Sequence, residues 1–145
     1  MIDLVKQLSV HPHFKNMIPV AFENKYCFFE IRNNILFMEY KNDLIITLPI
    51  AQQIVTDRLK FQHQENYHFI SMIVKLKIKY AHKNAREYLA IEGAKGLIST
   101  ALVTNSLVTK TLIKIFLTVE KPNIPIRVFE DQESAITWIK KLVIE

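Results

Sequence analysis

Phe69-Ile70-Ser71-Met72-Ile73-Val74 decides the fold. The run has the length of a strand, is β-branched in part, and is apolar at odd and even positions alike, so both of its faces are to be covered. A strand of that kind lies in the middle of a parallel sheet, whose neighbours are joined by helical crossovers. The flanks supply them. Upstream, Thr47 is an N-cap residue, Pro49 suits a first helical turn, and Ala51, Ile54, Val55 and Leu59 recur at helical spacing, predicting a helix from about Pro49 to His63. Downstream, Asn84 is read as the cap of a helix through Ala85, Tyr88 and Leu89, with Gly93 closing it in the left-handed conformation. Leu97 to Val103 is a second buried strand, and Thr104-Asn105-Ser106 offers N-caps for the helix that follows. That helix is read with Val108, Thr111, Leu112, Ile115, Phe116 and Val119 on one face. Lys121-Pro122 and Pro125 bracket a loop, Ile126 to Phe129 is a strand, and Asp131 caps a last helix that turns Ala135, Ile136, Ile139, Leu142 and Val143 inward.

Nearer the N-terminus, Cys27, Phe29 and Ile31 alternate with Phe28, Glu30 and Arg32, and after Asn33-Asn34 the alternation resumes at Leu36, Met38 and Tyr40. Two strands and a two-residue turn fit, because asparagine tolerates the positive φ that such turns demand. The pairing puts Cys27, Phe29, Ile31, Leu36, Met38 and Tyr40 on a buried face. Glu30, Arg32 and Glu39 share the other with Tyr26, Phe28 and Phe37. The predicted fold class is therefore α/β: a mixed, mostly parallel sheet flanked by helices, with an N-terminal antiparallel β-hairpin. No repeat and no Gly-, Ser- or Pro-rich linker divides the chain, so residues 25–145 read as one domain. Residues 1–24, where Leu4, Val5 and Leu8 hint at a short helix before His11-Pro12-His13, read as an N-terminal arm.

With 145 residues, half of them hydrophobic, the chain is long enough to bury a core without metal or disulfide. Its single cysteine, Cys27, excludes an intramolecular disulfide and CxxC-type redox or metal motifs, which fits a reducing cytoplasm. The start, Met1-Ile2-Asp3-Leu4-Val5-Lys6, lacks a basic flank before an apolar core, and no apolar run has the length of a membrane span. A cytoplasmic protein without membrane insertion is expected. The net charge of +5 favours anionic partners, with simple solubility as the plain alternative.

The order hairpin, helix, strand, helix, strand, helix, strand, helix resembles the STAS domain and its SpoIIAA-like relatives, including bacterial proteins of the STAS/SEC14-like group. The resemblance covers about residues 26–145. It is most specific from Ala85-Arg86-Glu87-Tyr88-Leu89 to Gly96-Leu97, from Ala101 to Phe116, and in Lys121-Pro122-Asn123-Ile124-Pro125 leading into Val128-Phe129-Glu130-Asp131. Glu133, Ala135, Ile136 and Trp138 after that strand look like the closing helix of anti-sigma factor antagonists. The resemblance implies a non-catalytic regulatory or protein-interaction module of the bacterial cytoplasm. In the antagonists a serine at the start of the helix after the central strand is phosphorylated. The matching stretch here, His82-Lys83-Asn84-Ala85, has no hydroxyl, and none lies between Ser71 and Ser99. The resemblance therefore comes without the serine phosphoswitch. The lipid-binding relatives imply an alternative, a small-ligand or lipid carrier, which needs an enclosed apolar cavity of several hundred cubic ångströms.

Lys75, Lys77, Lys79, Lys83 and Arg86 gather where the central strand gives way to the next helix. Ligands of open α/β sheets bind at that end, and helix N-termini favour anions. Lys79, His82, Lys83, Asn84 and Arg86 are therefore the candidate site for an acidic partner or phosphorylated ligand. A solvated lysine edge is the plain alternative. Tyr26, Phe28 and Phe37 are the candidate contact of a homodimer, since Glu30 and Glu39 beside them disfavour nucleic acid. Neither metal nor cofactor is expected. His63, His68 and His82 lack ligand partners at metal spacing, and the two glycines, Gly93 and Gly96, follow a helix where a phosphate loop would precede one. Asp131 and Glu133, drawn together as paired acids, are better explained by capping. No catalytic residue is assigned.

Overall fold

The computed structural model describes residues 18–41 and 43–144. The bulk of the stretch read as an arm, with His11 and His13, lies outside them, as do Asn42 and the side chain of Val143. The elements run β1 (Val20–Glu23), β2 (Cys27–Arg32), β3 (Ile35–Tyr40), β4 (Leu44–Ile46), α1 (Leu48–Gln64), β5 (Ile70–Lys75), β6 (Ile78–Ala81) and α2 (Lys83–Ile91). A 3₁₀ turn (Glu92–Ala94), β7 (Leu97–Val103), α3 (Leu107–Ile115), a π-helical turn (Phe116–Glu120), β8 (Ile126–Phe129) and α4 (Gln132–Ile144) follow.

Six strands form one sheet in the order β1-β2-β3-β5-β7-β8. β1, β2 and β3 are antiparallel, and β3, β5, β7 and β8 are parallel. The mixed, mostly parallel α/β arrangement with its hairpin is thus the one the sequence predicts. The hairpin keeps the expected register, with Cys27 opposite Tyr40, Phe29 opposite Met38 and Ile31 opposite Leu36. Asn33 and Asn34 close it at φ 51° and 62°, the left-handed pair that matches strand twist in a two-residue turn.

Parallel strands added in one direction through right-handed crossovers place their helices on one side. Accordingly Ile54 and Phe61 of α1 and Ile113 of α3 bury Phe29, Leu36, Met72 and Val74 on one face. Among the described residues α4 covers the other, setting Ala135 and Ile139 on Ile35, Ile73, Ala101 and Val103. It is capped as expected, Asp131 Oδ1 accepting from Ser134 N–H at 2.7 Å. That bond holds the exposed Asp131 carboxyl below its ordinary pKa.

Four features depart from the sequence reading. Val20–Glu23, inside the stretch read as an arm, is β1, paired with β2 from Val20 opposite Ile31 to Glu23 opposite Phe28. Four residues after Pro19 are too few to show alternation. The central strand does not lead straight into a helix: β6 intervenes and pairs in parallel with β4 as a separate two-stranded sheet. The lysines between its apolar residues hide it. The cap of α2 is His82, so Asn84 stands inside the first turn and does not cap. The left-handed glycine is Gly96, at φ 72°, whereas Gly93 lies in the 3₁₀ turn.

Behind Gly96 lies a buried polar network. Arg58 and Gln62, one turn apart on α1, are 2% and 0% exposed. Arg58 donates to Gln62 Oε1 at 2.9 Å and to the Gly93 carbonyl at 3.2 Å. Gln62 donates in turn to the carbonyls of Gly96 at 2.8 Å and His68 at 3.3 Å. Arg58 meets neutral acceptors at the carbonyl end of α2, where the helix dipole is negative. Burial pulls its pKa down to about 10, leaving it charged at neutral pH.

Candidate functional site

The candidate residues converge on the surface where β6, α2 and α3 meet. Ile78 and Ala81 of β6 turn inward, which leaves Lys79 and Tyr80 outside. Thr109 of α3 is fully buried against β6, its hydroxyl accepting from Ile78 N–H at 3.0 Å and donating to the Ile78 carbonyl at 3.3 Å. His82 is exposed with its ring 5.8 Å from that of Tyr80, and Lys83 and Asn84 are exposed beyond it. Lys79, His82, Lys83 and Asn84 thus share one basic edge.

Arg86 does not belong to that solvent edge. Its Nε donates to Glu120 Oε1 at 2.8 Å and its Nη1 to the Ala81 carbonyl at 2.6 Å. Its side chain is 12% exposed and that of Glu120 2%. Burial lowers the Arg86 pKa, but hydrogen bonds to Glu120 and Tyr80, with the charge of Glu120, prevail and raise it. Arg86 therefore ties α2 to the π-helical turn.

Of the residues read on one inward face of this helix, Leu112 is buried and Phe116 half-buried, but Val108, Thr111, Ile115 and Val119 are exposed, and Thr109 and Ile113 complete the inward face. Ser106 is its cap, accepting from Thr109 N–H at 3.2 Å. Leu107, Val108, Ile115 and Val119 are 78%, 58%, 37% and 61% exposed. With Thr111, four residues from both Leu107 and Ile115, they form an apolar stripe along one side. Lys114 and Lys121 are exposed on the same segment, and Lys110 pairs with Glu130 at 2.5 Å. The one acid between Leu107 and Lys121 is the buried Glu120.

Of the hairpin residues, Phe28 and Phe37 lie on the α4 side of the sheet, Phe37 packed against the cluster that α4 covers, in a groove of about 590 Å³ among the described residues with Glu30, Arg32, Glu39 and Lys75. Arg32 covers the Phe37 ring at 3.9 Å and Lys41 the Phe28 ring at 4.8 Å. Tyr26 is not with them; it packs half-buried against the core on the other side. Among the described residues no three His, Cys, Asp or Glu side chains are grouped to hold a metal, and no helix is long and apolar enough to cross a membrane.

Cys27 is fully buried, and burial pushes its thiol from 9.0 to about 12, against a smaller opposing pull from Lys41. Iodoacetamide at pH 8 is expected to leave the folded protein unmodified and to label it once denaturant is added; intact mass reads both. Because the folded pKa is raised, the stability tied to this thiol is whole below about pH 9 and falls away towards pH 12.

Over residues 29–143 the chain matches the model of a family described as Domain of unknown function (DUF7793). The chain belongs to that family. The fold of this DUF7793 domain is also that of a crystal structure of an uncharacterized protein from the DUF3478 family, with a SpoIIAA-like fold, from Shewanella loihica PV-4. The two agree at a TM-score of 0.52 and 10% sequence identity, over 83% of this chain and 91% of that one. The DUF7793 domain is thus SpoIIAA-like in fold, as its order of elements predicts. No curated protein matches the sequence.

Proposed function

We propose that this domain is a non-enzymatic interaction module of the cytoplasm that binds an acidic, amphipathic segment of another protein across α3 and the edge formed by β6 and α2. The observation that carries the reading is the exposed stripe of Leu107, Val108, Ile115 and Val119. Contiguous exposed apolar side chains of this kind mark contact surfaces. The exposed charges on the helix segment itself are Lys114 and Lys121, and the neighbouring edge adds Lys79 and Lys83; the exposed acids on adjoining elements are Glu87 of α2 and Glu130, the latter paired with Lys110. An apolar stripe rimmed by lysines complements a helix with an apolar face and acidic borders. The SpoIIAA-like fold supports a regulatory or interaction role in general terms. A carrier of lipid chains has less support, because the apolar pocket inside the domain is about 120 Å³, below the range of ligand cavities.

A photo-crosslinking residue at Thr111 of the full chain, expressed in its own host, tests the proposal. Mass spectrometry of the crosslinked peptide should give an acidic sequence. The captured protein, once purified, should bind about tenfold or more weakly to the triple variant Lys79→Glu, Lys83→Glu, Lys114→Glu, and more weakly at high salt. Crosslinks confined to a second copy, or binding indifferent to both charge reversal and salt, would overturn the reading.

A further inference from the structure

We infer that the groove over strands β1, β2 and β3, on the α4 side of the sheet, is the docking site of this chain's own N-terminal segment, residues 1–10, laid on it as an amphipathic helix. α4 covers only part of that face. The cluster it buries takes Ile35 and Phe37 from β3 and, among the described residues, nothing from β1 or β2. Beyond it the face continues as the groove of about 590 Å³, where Ala21, Phe28 and Phe37 stand among Glu23, Glu30 and Glu39. Phe28 is 48% exposed there. A sheet of this class is stable with helices on both faces, and the space fits one more. Strands about 4.8 Å apart set β1 and β3 about 10 Å from each other, the diameter of a helix. Ten helical residues run about 15 Å, within the roughly 20 Å of the six-residue strands β2 and β3.

Connectivity names the occupant. β1 is the edge of the sheet, and its Ala21 and Glu23 line the groove, so residues 1–17 join the fold at the groove's rim. Met1, Leu4, Val5 and Leu8 recur at helical spacing, with Asp3, Lys6 and Gln7 on the other side. Residues 11–17, with Pro12 among them, are the connection, and seven residues reach up to about 23 Å, enough to return along the hairpin. The charges agree. The groove carries Glu23, Glu30 and Glu39 against Arg32 and Lys75, and residues 1–17 carry Lys6 and Lys15 against Asp3. A segment tethered this closely meets its site at an effective concentration of about millimolar, which favours it over a second copy. This face is the one opposite α3, so the inference does not rest on the reading of the α3 stripe.

Paramagnetic broadening in the ¹⁵N-labelled full chain tests the inference. Gln7→Cys supplies the one reactive thiol for a nitroxide, since Cys27 is fully buried. The amide signals of Ala21, Phe28 and Phe37 should lose most of their intensity, while those of Leu107 to Ile115, across the sheet, keep theirs. Adding Leu4→Asp and Leu8→Asp should restore the hairpin signals in a spectrum that stays dispersed, because both changes lie outside the packed core. Three outcomes would each overturn the inference. The first is full intensity at the hairpin with the nitroxide in place, and the second is a loss that persists with both aspartates. The third is the same loss when nitroxide-bearing chain without ¹⁵N is mixed with ¹⁵N-labelled chain without nitroxide, which would give the groove to a second copy.

Discussion

Arg58→Ala should destabilise the domain by about 3 kcal/mol, and Arg58→Met by much less. The alanine variant loses a long buried side chain, which costs about 2–5 kcal/mol in a core that relaxes only partly. It also strips donors from Gln62 Oε1 and the Gly93 carbonyl, at about 1–3 kcal/mol for each acceptor left buried and unpaired. Against this, the guanidinium is 2% exposed and its pKa is drawn down to about 10, so removing the charge recovers roughly 3 kcal/mol of desolvation. Packing and hydrogen bonds together outweigh that gain for alanine. Methionine keeps most of the volume and sheds the charge, so the two sides nearly cancel. Urea unfolding followed by circular dichroism separates the cases: equal losses in the two variants would mean that the lost hydrogen bonds, and not packing, govern the site.

Gly96→Ala should cost about 2–4 kcal/mol. At φ 72° an L-residue pays about 1–2 kcal/mol for the left-handed backbone. The added Cβ would stand 2.8 Å from Gln62 Nε2 and 3.3 Å from the His68 carbonyl oxygen. Gln62 has no free space to retreat into, since it is fully buried and binds both the Gly96 and His68 carbonyls. Gly93→Ala, whose new Cβ meets the Leu89 side chain at 3.3 Å with no positive φ, should cost clearly less. Because Arg58 and Gly96 act through Gln62, the double variant should lose less than the two single losses combined. Additive losses would show the network to be two independent contacts.

How far the sequence could be read followed from how locally each feature is encoded. The hairpin was legible because alternation and an Asn-Asn turn are properties of neighbours in the chain. The central strand was legible because burial on both faces leaves no polar alternation. The caps were mixed: Ser106 and Asp131 cap as their positions suggest, whereas His82 caps α2 without a side-chain bond, which no propensity announces. The candidate site was half legible. Lys79, His82, Lys83 and Asn84 do share a basic edge, but the ion pair that removes Arg86 from it joins residues thirty-four apart. The stripe on α3 left a signal in composition, since the segment from Leu107 to Val119 has more apolar residues than one helical face can bury. What could not be read was which apolar set faces inward, because Thr109, anchored to β6, settles the rotation.

The order of strands in the main sheet has a consequence for how the protein is made. Apart from the side pair β4 and β6, position along the chain and position across the sheet coincide, from β1 to β8. A chain leaving the ribosome can therefore close the β2–β3 hairpin from local contacts and then lay down β5, β7 and β8 in turn, each on an edge already present. No strand has to be inserted between two that are already paired. Each addition spans one crossover only, which keeps loop closure short while synthesis proceeds. Helix α4, which follows every strand beneath it in the chain, packs on the second face once they are in place.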